Sequence, residues 1–298
     1  MNTDFIRGII PPIVTPINDD EKINGSVLRE HIDFMISGGI SGILAFGSNS
    51  DFYMLEENEM EEILKIIVDQ VKGRIPVYMG IGAIRTSKCV RLAKTGVRLG
   101  AHGVSVLQPM FLRPSDEELF DHFKTIAAAI PQTPVLLYNN PGRTGYPIPQ
   151  AVAEKLAHSV PNIVGMKDSG GDMAETSEYI RRNSDVSFRV LAGKDTLIYS
   201  ALEAGAAGAV CTTANFLPEL VCSIYQNFIC GNKIKAMEMQ SKLNPIRLAM
   251  DKSSFPVATK DYANLLGRNI GKPFLPNKCS PPAQIENLRN ELIKAELL

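Results

Sequence analysis

The five cysteines of this 298-residue chain (Cys89, Cys211, Cys222, Cys230, Cys279) form an odd, scattered set. They contain no CxxC and no Cys/His cluster, so neither a disulfide framework nor a zinc site is indicated. Buried free thiols in a reducing cytoplasm are the expectation. Long apolar runs are also missing: none reaches the roughly 18 residues a membrane span needs. An excess of charge of either sign is absent, with a formal net charge of −1, which argues against nucleic acid or an anionic membrane as partner. The start, MNTDFIRGIIPPIV, places its Arg after an Asp and has no long apolar stretch, unlike a secretory signal. A third glycine is lacking too. Gly80-Ile81-Gly82 is followed by Arg85 where a dinucleotide fingerprint needs glycine.

What is present is an apolar content of 45%, enough for a large core, and one repeated rhythm. From residue 8 to about 230, short apolar strands alternate with amphipathic helical stretches. The expected strands are Ile9–Val14, Gly42–Phe46, Val77–Gly80, Gly103–Leu107, Val135–Tyr138, Ile163–Lys167, Arg189–Ala192 and Ala209–Thr212. Ser115-Asp116-Glu117-Glu118 reads as a capping box before Leu119, Phe120 and Phe123. Gly38-Gly39, Gly100-Ala101 and Gly205-Ala206 place glycine where helices stop. Strands too apolar to have a wet face, in eight β/α units, point to a parallel barrel over residues 1–230, with an open doubly wound sheet as the alternative. After Gly231 the rhythm stops, and 231–298 read as an all-helical extension packed on the barrel.

In a β/α barrel, chemistry collects at the carboxyl ends of the strands. Ile163-Val164-Gly165-Met166-Lys167-Asp168 is a short apolar run ending in a lysine. Desolvation there disfavours the ammonium and leaves an amine nucleophile. The second strand ends in Gly47-Ser48-Asn49-Ser50-Asp51, whose hydroxyls and N–H groups could hold a carboxylate or merely form a polar turn. The fifth ends in Tyr138, with Arg143 five residues on. That pair reads either as core packing or as a proton shuttle with an anion clamp.

Together with Gly8–Pro16, Tyr-Asn-x-Pro-x-Arg-Thr-Gly at 138–145, Gly-x-Lys-Asp at 165–168 and the glycines and Thr-Ala-Asn of 205–215, these residues resemble the dihydrodipicolinate synthase / N-acetylneuraminate lyase family of Schiff-base, pyruvate-handling class I aldolases. The resemblance implies a (β/α)8 TIM barrel with a C-terminal all-helical extension and no cofactor beyond a covalent imine on Lys167. It implies that Tyr138 relays protons, that Ser48 and Asn49 hold the pyruvate carboxylate, and that Arg143 meets the second substrate. Gly193 and Val210 would frame the pocket. It also implies a homotetramer built as a dimer of dimers, taking a 2-keto acid and an aldehyde, with no nucleic acid, membrane or metal.

The chain departs from the synthase pattern at two places. Ser48-Asn49 stands where synthases usually have Thr-Thr. Pro109-Met110-Phe111 stands where they carry the Tyr given to a neighbouring subunit. Ile84 and Lys88 match the positions of lysine-inhibited members poorly, so no lysine feedback is expected. Asp168 reads equally as a strand-end cap or a contact to a polyol. The primary expectation is cleavage or formation of a 2-keto-3-deoxy acid, with pyruvate and an aldehyde as the other side of the reaction. Condensation of pyruvate with aspartate semialdehyde is the alternative enzyme reading, and a ketoacid-binding sensor without turnover is the non-enzymatic one.

Overall fold

Side chains on successive strand residues point alternately into a barrel and out toward its helices, and this alternation organises the molecule. A computed structural model describes all 298 residues. The strands are β1 (Gly8–Ile9), β2 (Ile43–Ala45), β3 (Val77–Ile81), β4 (Gly103–Leu107), β5 (Val135–Asn139), β6 (Ile163–Asp168), β7 (Arg189–Ala192) and β8 (Gly208–Ala209). All pair in parallel in the order β1-β8-β7-β6-β5-β4-β3-β2. The ring closes beyond β1, where Pro12 bridges Leu44 and Leu44 N–H donates to the Pro11 carbonyl at 3.0 Å. The result is a (β/α)8 barrel, as expected.

Outward residues such as Val104, Val106, Leu137 and Met166 join the apolar helix faces in a single cluster of 69 buried residues. Inward residues Leu44, Tyr78, Leu136, Val164, Leu191 and Val210 form a separate plug along the axis. The outer layer is therefore the main core, and the plug seals the barrel below the strand ends.

Several boundaries differ from the sequence reading. β1 is two residues, not six, because the prolines at 11 and 12 cannot donate to a ladder. β8 stops at Ala209, and Thr212–Asn215 turn into a 3₁₀ helix. After β7, Asp195–Leu197 forms a 3₁₀ turn that leads into the helix Ile198–Glu203. The capping box is present in both directions: Ser115 N–H donates to Glu118 Oε2 at 2.8 Å, and Glu118 N–H to Ser115 Oγ at 3.3 Å. Gly39, Gly100 and Gly205 all take positive φ just past helix ends.

From Lys233 the chain is helical: Lys233–Ala249, Val257–Leu265 and Pro282–Lys294. Leu243, Ile246, Tyr262 and Leu288 belong to the same 69-residue cluster as the barrel helices. Gln240 ties the two parts together, donating to the Asp195 carbonyl and accepting from Tyr199 N–H, both at 2.9 Å.

Two buried histidines set an acid limit on this fold. Burial pulls His31 and His122 each down to about 4. Below about pH 6.5 the unfolded chain takes up protons that the folded one refuses. Stability is therefore full above pH 6.5 and falls as pH drops toward 4, by up to roughly 3 kcal/mol per histidine. Urea midpoints measured between pH 7 and 4.5 should decline, and less steeply in His122→Gln. A flat profile would refute this account.

Candidate active site

Tyr138 and Lys167 are register partners on adjacent strands, both turned inward at the carboxyl end of the barrel. Each is 5% exposed, and the Lys167 Nζ lies 4.2 Å from the centroid of the Tyr138 ring. The Tyr138 hydroxyl is 3.1 Å from Ser48 Oγ and accepts from Asn140 Nδ2 at 2.8 Å. Burial by itself pushes the Tyr138 phenol up. The Lys167 ammonium and hydrogen bonds from Ser48, Asn140 and Lys167 outweigh it, and the phenol ends below its ordinary value.

The turn after β2 is built as a rigid floor. Gly47 lies so close to Pro12 that a Cβ there would meet Pro12 Cβ at 2.6 Å. Ser48–Ser50 form one 3₁₀ turn, whose first N–H groups have no partner within the turn and can take a carboxylate. The Asn49 side chain is committed elsewhere. It donates to Thr212 Oγ1 at 2.9 Å and accepts from Thr259 Oγ1 at 3.0 Å. Beneath the turn, Asp51 is buried 3.9 Å from the buried Lys260 ammonium, which desolvation draws down to about 8. Contacts of Thr259 and Lys260 thus dock the C-terminal helices onto the turn that carries Ser48.

These groups open into a cavity of about 330 Å³. Its walls include Ser48, Asn49, Tyr138, Arg143, Lys167 and Gly193, so six of the seven expected site residues converge. Val210 does not line it. That side chain points into the axial plug with Leu44 and Leu191, one layer away from the cavity. Gly193 allows β6 and β7 to close together. A Cβ there would meet Ser169 Oγ at 2.0 Å, and Gly193 N–H donates to the Asp168 carbonyl at 2.7 Å. Arg143 is exposed, with its guanidinium 4.5 Å above the Phe255 ring at the mouth.

Asp168 has a settled place. Its carboxylate accepts from Asn139 Nδ2 (2.8 Å), Gly170 N–H (3.0 Å) and Thr176 Oγ1 (2.6 Å), which makes it a strand-end cap and not a polyol contact. Asp195 is likewise filled, by Thr212 N–H (3.2 Å), Thr213 N–H (2.7 Å) and Thr213 Oγ1 (2.6 Å). No group of three or more His, Cys, Asp or Glu is placed to hold a metal ion.

Two sets of wall residues were not anticipated. One is Asn140, the variable place in the Tyr-Asn-x-Pro motif. The other is the roof formed by Arg247, Ser253, Ser254 and Phe255 of the C-terminal segment. No local pattern marks the roof, because its residues meet the barrel only through long-range packing.

Comparison with known proteins follows the same lines. The family model described as "Dihydrodipicolinate synthetase family" matches residues 5–290. The chain is 33% identical over 294 residues to a 4-hydroxy-tetrahydrodipicolinate synthase of Methanopyrus kandleri, covering 98% of this chain and 97% of that one. It is 32% identical over 295 residues to the protein of that name from Desulforamulus reducens, covering 99% of both. Among solved structures it is similar to dihydrodipicolinate synthase from Thermotoga maritima, with TM-score 0.94, 28% identity and coverage of 98% and 99%. A prophage protein of that family from E. coli K12, solved with pyruvate, gives TM-score 0.94 at 27% identity over 98% and 99%.

Proposed function

The chain belongs to the dihydrodipicolinate synthetase family, and from that premise we propose that it condenses pyruvate, held as an imine on Lys167, with aspartate semialdehyde. That it is a pyruvate-dependent class I aldolase, a carbon–carbon lyase by reaction class, follows from the family. The observation that carries the imine reading is the pairing of Lys167 with Tyr138 across β5 and β6, with the phenol hydrogen-bonded to Ser48.

The Lys167 amine adds to C2 of pyruvate and water leaves, giving a cationic imine. This withdraws electrons from the adjacent methyl, which loses a proton and becomes an enamine. The enamine carbon attacks the aldehyde carbonyl, forming the C–C bond as that oxygen takes a proton. Tyr138 stands beside the nitrogen and can carry protons in both stages. The semialdehyde's amine then adds to the imine carbon, closes a ring and frees Lys167. The N–H groups opening the Ser48 turn take the pyruvate carboxylate, and Arg143 takes the carboxylate of the aldehyde. No cofactor enters this scheme.

The names of the full-length relatives support this choice of aldehyde over the 2-keto-3-deoxy acid read from the sequence. The second reading keeps one specific support, the charge of the cavity. Its acids are both committed: Asp195 is filled by Thr212 and Thr213, and Asp251 pairs with Arg247 at 2.7 Å. Arg143 and the exposed Lys194 line the same wall without a carboxylate partner. An anionic polyhydroxy acid suits this wall, whereas the ammonium of aspartate semialdehyde finds no free acid. Semialdehyde condensation and pyruvate release from a panel of 2-keto-3-deoxy acids, assayed side by side, decide between them. Turnover in the first alone is the expected result, and turnover in the panel alone transfers the assignment.

Assembly as a homotetramer is part of the proposal. Phe111 is 98% exposed at φ 73°, with Leu112 and Tyr53 also half exposed, which supports a covering subunit. A cytoplasmic setting rests on the scattered thiols; no helix is long and apolar enough to cross a membrane. The sensor reading loses its support, since the relatives named above carry an enzyme's name.

A further inference from the structure

Asn140 sits at the position just before the short helix Pro141–Thr144, where asparagine ordinarily caps helical N–H groups with its side-chain oxygen. It does not do so: no side-chain cap bond is made. The backbone of Asn140 does the local structural work instead. Its carbonyl accepts from Arg143 N–H (2.9 Å), Thr144 N–H (3.1 Å) and Thr144 Oγ1 (3.1 Å), and its N–H donates to Gln108 Oε1 at 3.3 Å. Gln108 is itself pinned, donating to Thr144 Oγ1 and the Tyr146 carbonyl at 3.0 and 2.9 Å. The side-chain amide is left free to turn into the cavity wall, and its hydrogen-bond partner there is the Tyr138 hydroxyl at 2.8 Å.

We propose that Asn140 is a positioning residue for the pyruvate chemistry, holding the Tyr138 oxygen with a donor amide that favours the phenolate and leaves Ser48 and Lys167 as the phenol's side-chain proton partners. This rests on the imine reading of Lys167. An amide N–H donates a hydrogen bond but cannot take up the tyrosine's proton, so the proton's protein route from Tyr138 runs through Ser48 Oγ at 3.1 Å or to the Lys167 nitrogen, and not through Asn140. Donation to the phenol oxygen stabilises its anion. The one charged group facing that oxygen is Lys167 on β6; Ser48 and Asn140 are neutral, and Arg143 stands over Phe255. The direction of the shift at Tyr138 agrees, with Asn140 among the groups that lower it.

Exchange of the pyruvate methyl protons for deuterium, followed by NMR, tests this without knowledge of the aldehyde, because enamine formation alone exchanges them. Borohydride trapping of the pyruvate adduct on Lys167 runs in parallel. Asn140→Leu removes the donor, and Asn140→Asp replaces it with an acceptor of the same shape. Both should still trap pyruvate. The exchange rate in Asn140→Leu should fall about tenfold, the size of one lost hydrogen bond. Its rising pH limb should move up by about one unit, and further in Asn140→Asp. A lowered melting temperature with the pH limb unmoved in both variants would mark a merely structural residue and overturn the inference. Failure of the unaltered protein to trap pyruvate would instead remove the imine reading, and this with it.

Discussion

Lys167→Ala should leave a folded protein that forms no borohydride-stable adduct with pyruvate and has turnover at the detection limit. The side chain is buried in the cavity wall and takes part in no ion pair with a carboxylate, so truncation orphans no buried charge. Its melting temperature should stay within a few degrees of the parent. Two other lysines lie nearby, and neither replaces it. Lys194 is an exposed residue at the rim. Lys260 is sealed beneath the β2 turn, where its ammonium donates to the Lys272 carbonyl at 2.9 Å. Mass spectrometry of the trapped parent should place the added mass on Lys167 alone. Retained turnover in the alanine variant would end the imine mechanism.

Tyr138→Phe should keep the adduct and lose rate. The ring still fills its place against Lys167, but the oxygen between Ser48 and Asn140 is gone. General acid–base groups commonly contribute 10²–10⁴-fold, so kcat should fall at least about 10²-fold with KM for pyruvate changed far less. Rapid-quench trapping should show the adduct forming more slowly, because carbinolamine dehydration needs the same proton. An unchanged kcat would strip Tyr138 of its relay, and water in the cavity would then be the carrier.

Much of this site could be read along the chain because its members sit at strand ends. Lys167 and Tyr138 each close an apolar run, and the register that makes them neighbours follows from parallel pairing of β5 with β6. Ser48 and Gly193 occupy the matching places after β2 and β7. Val210 shows where that logic stops. It too lies just past a strand, but side chains alternate in height as well as direction around a barrel, and its layer belongs to the plug. Asn49 shows another limit. A polar residue in a loop advertises hydrogen bonds without naming partners, and here they are Thr212 and Thr259, far away in the chain.

The amino-acid order alone determined the eightfold β/α rhythm, the lysine and tyrosine proposed to carry the chemistry, and the family. Those are written in hydrophobic period and local motif, which short-range sterics and burial translate directly. Only the folded chain decided that the C-terminal helices roof the cavity, that Asp168 and Asp195 are spent on internal hydrogen bonds, and that Asn140 turns from its helix to the phenol. The roof depends on long-range packing, while the aspartates and Asn140 depend on which of several polar partners comes within hydrogen-bond reach, a choice made by local backbone geometry and strand register together.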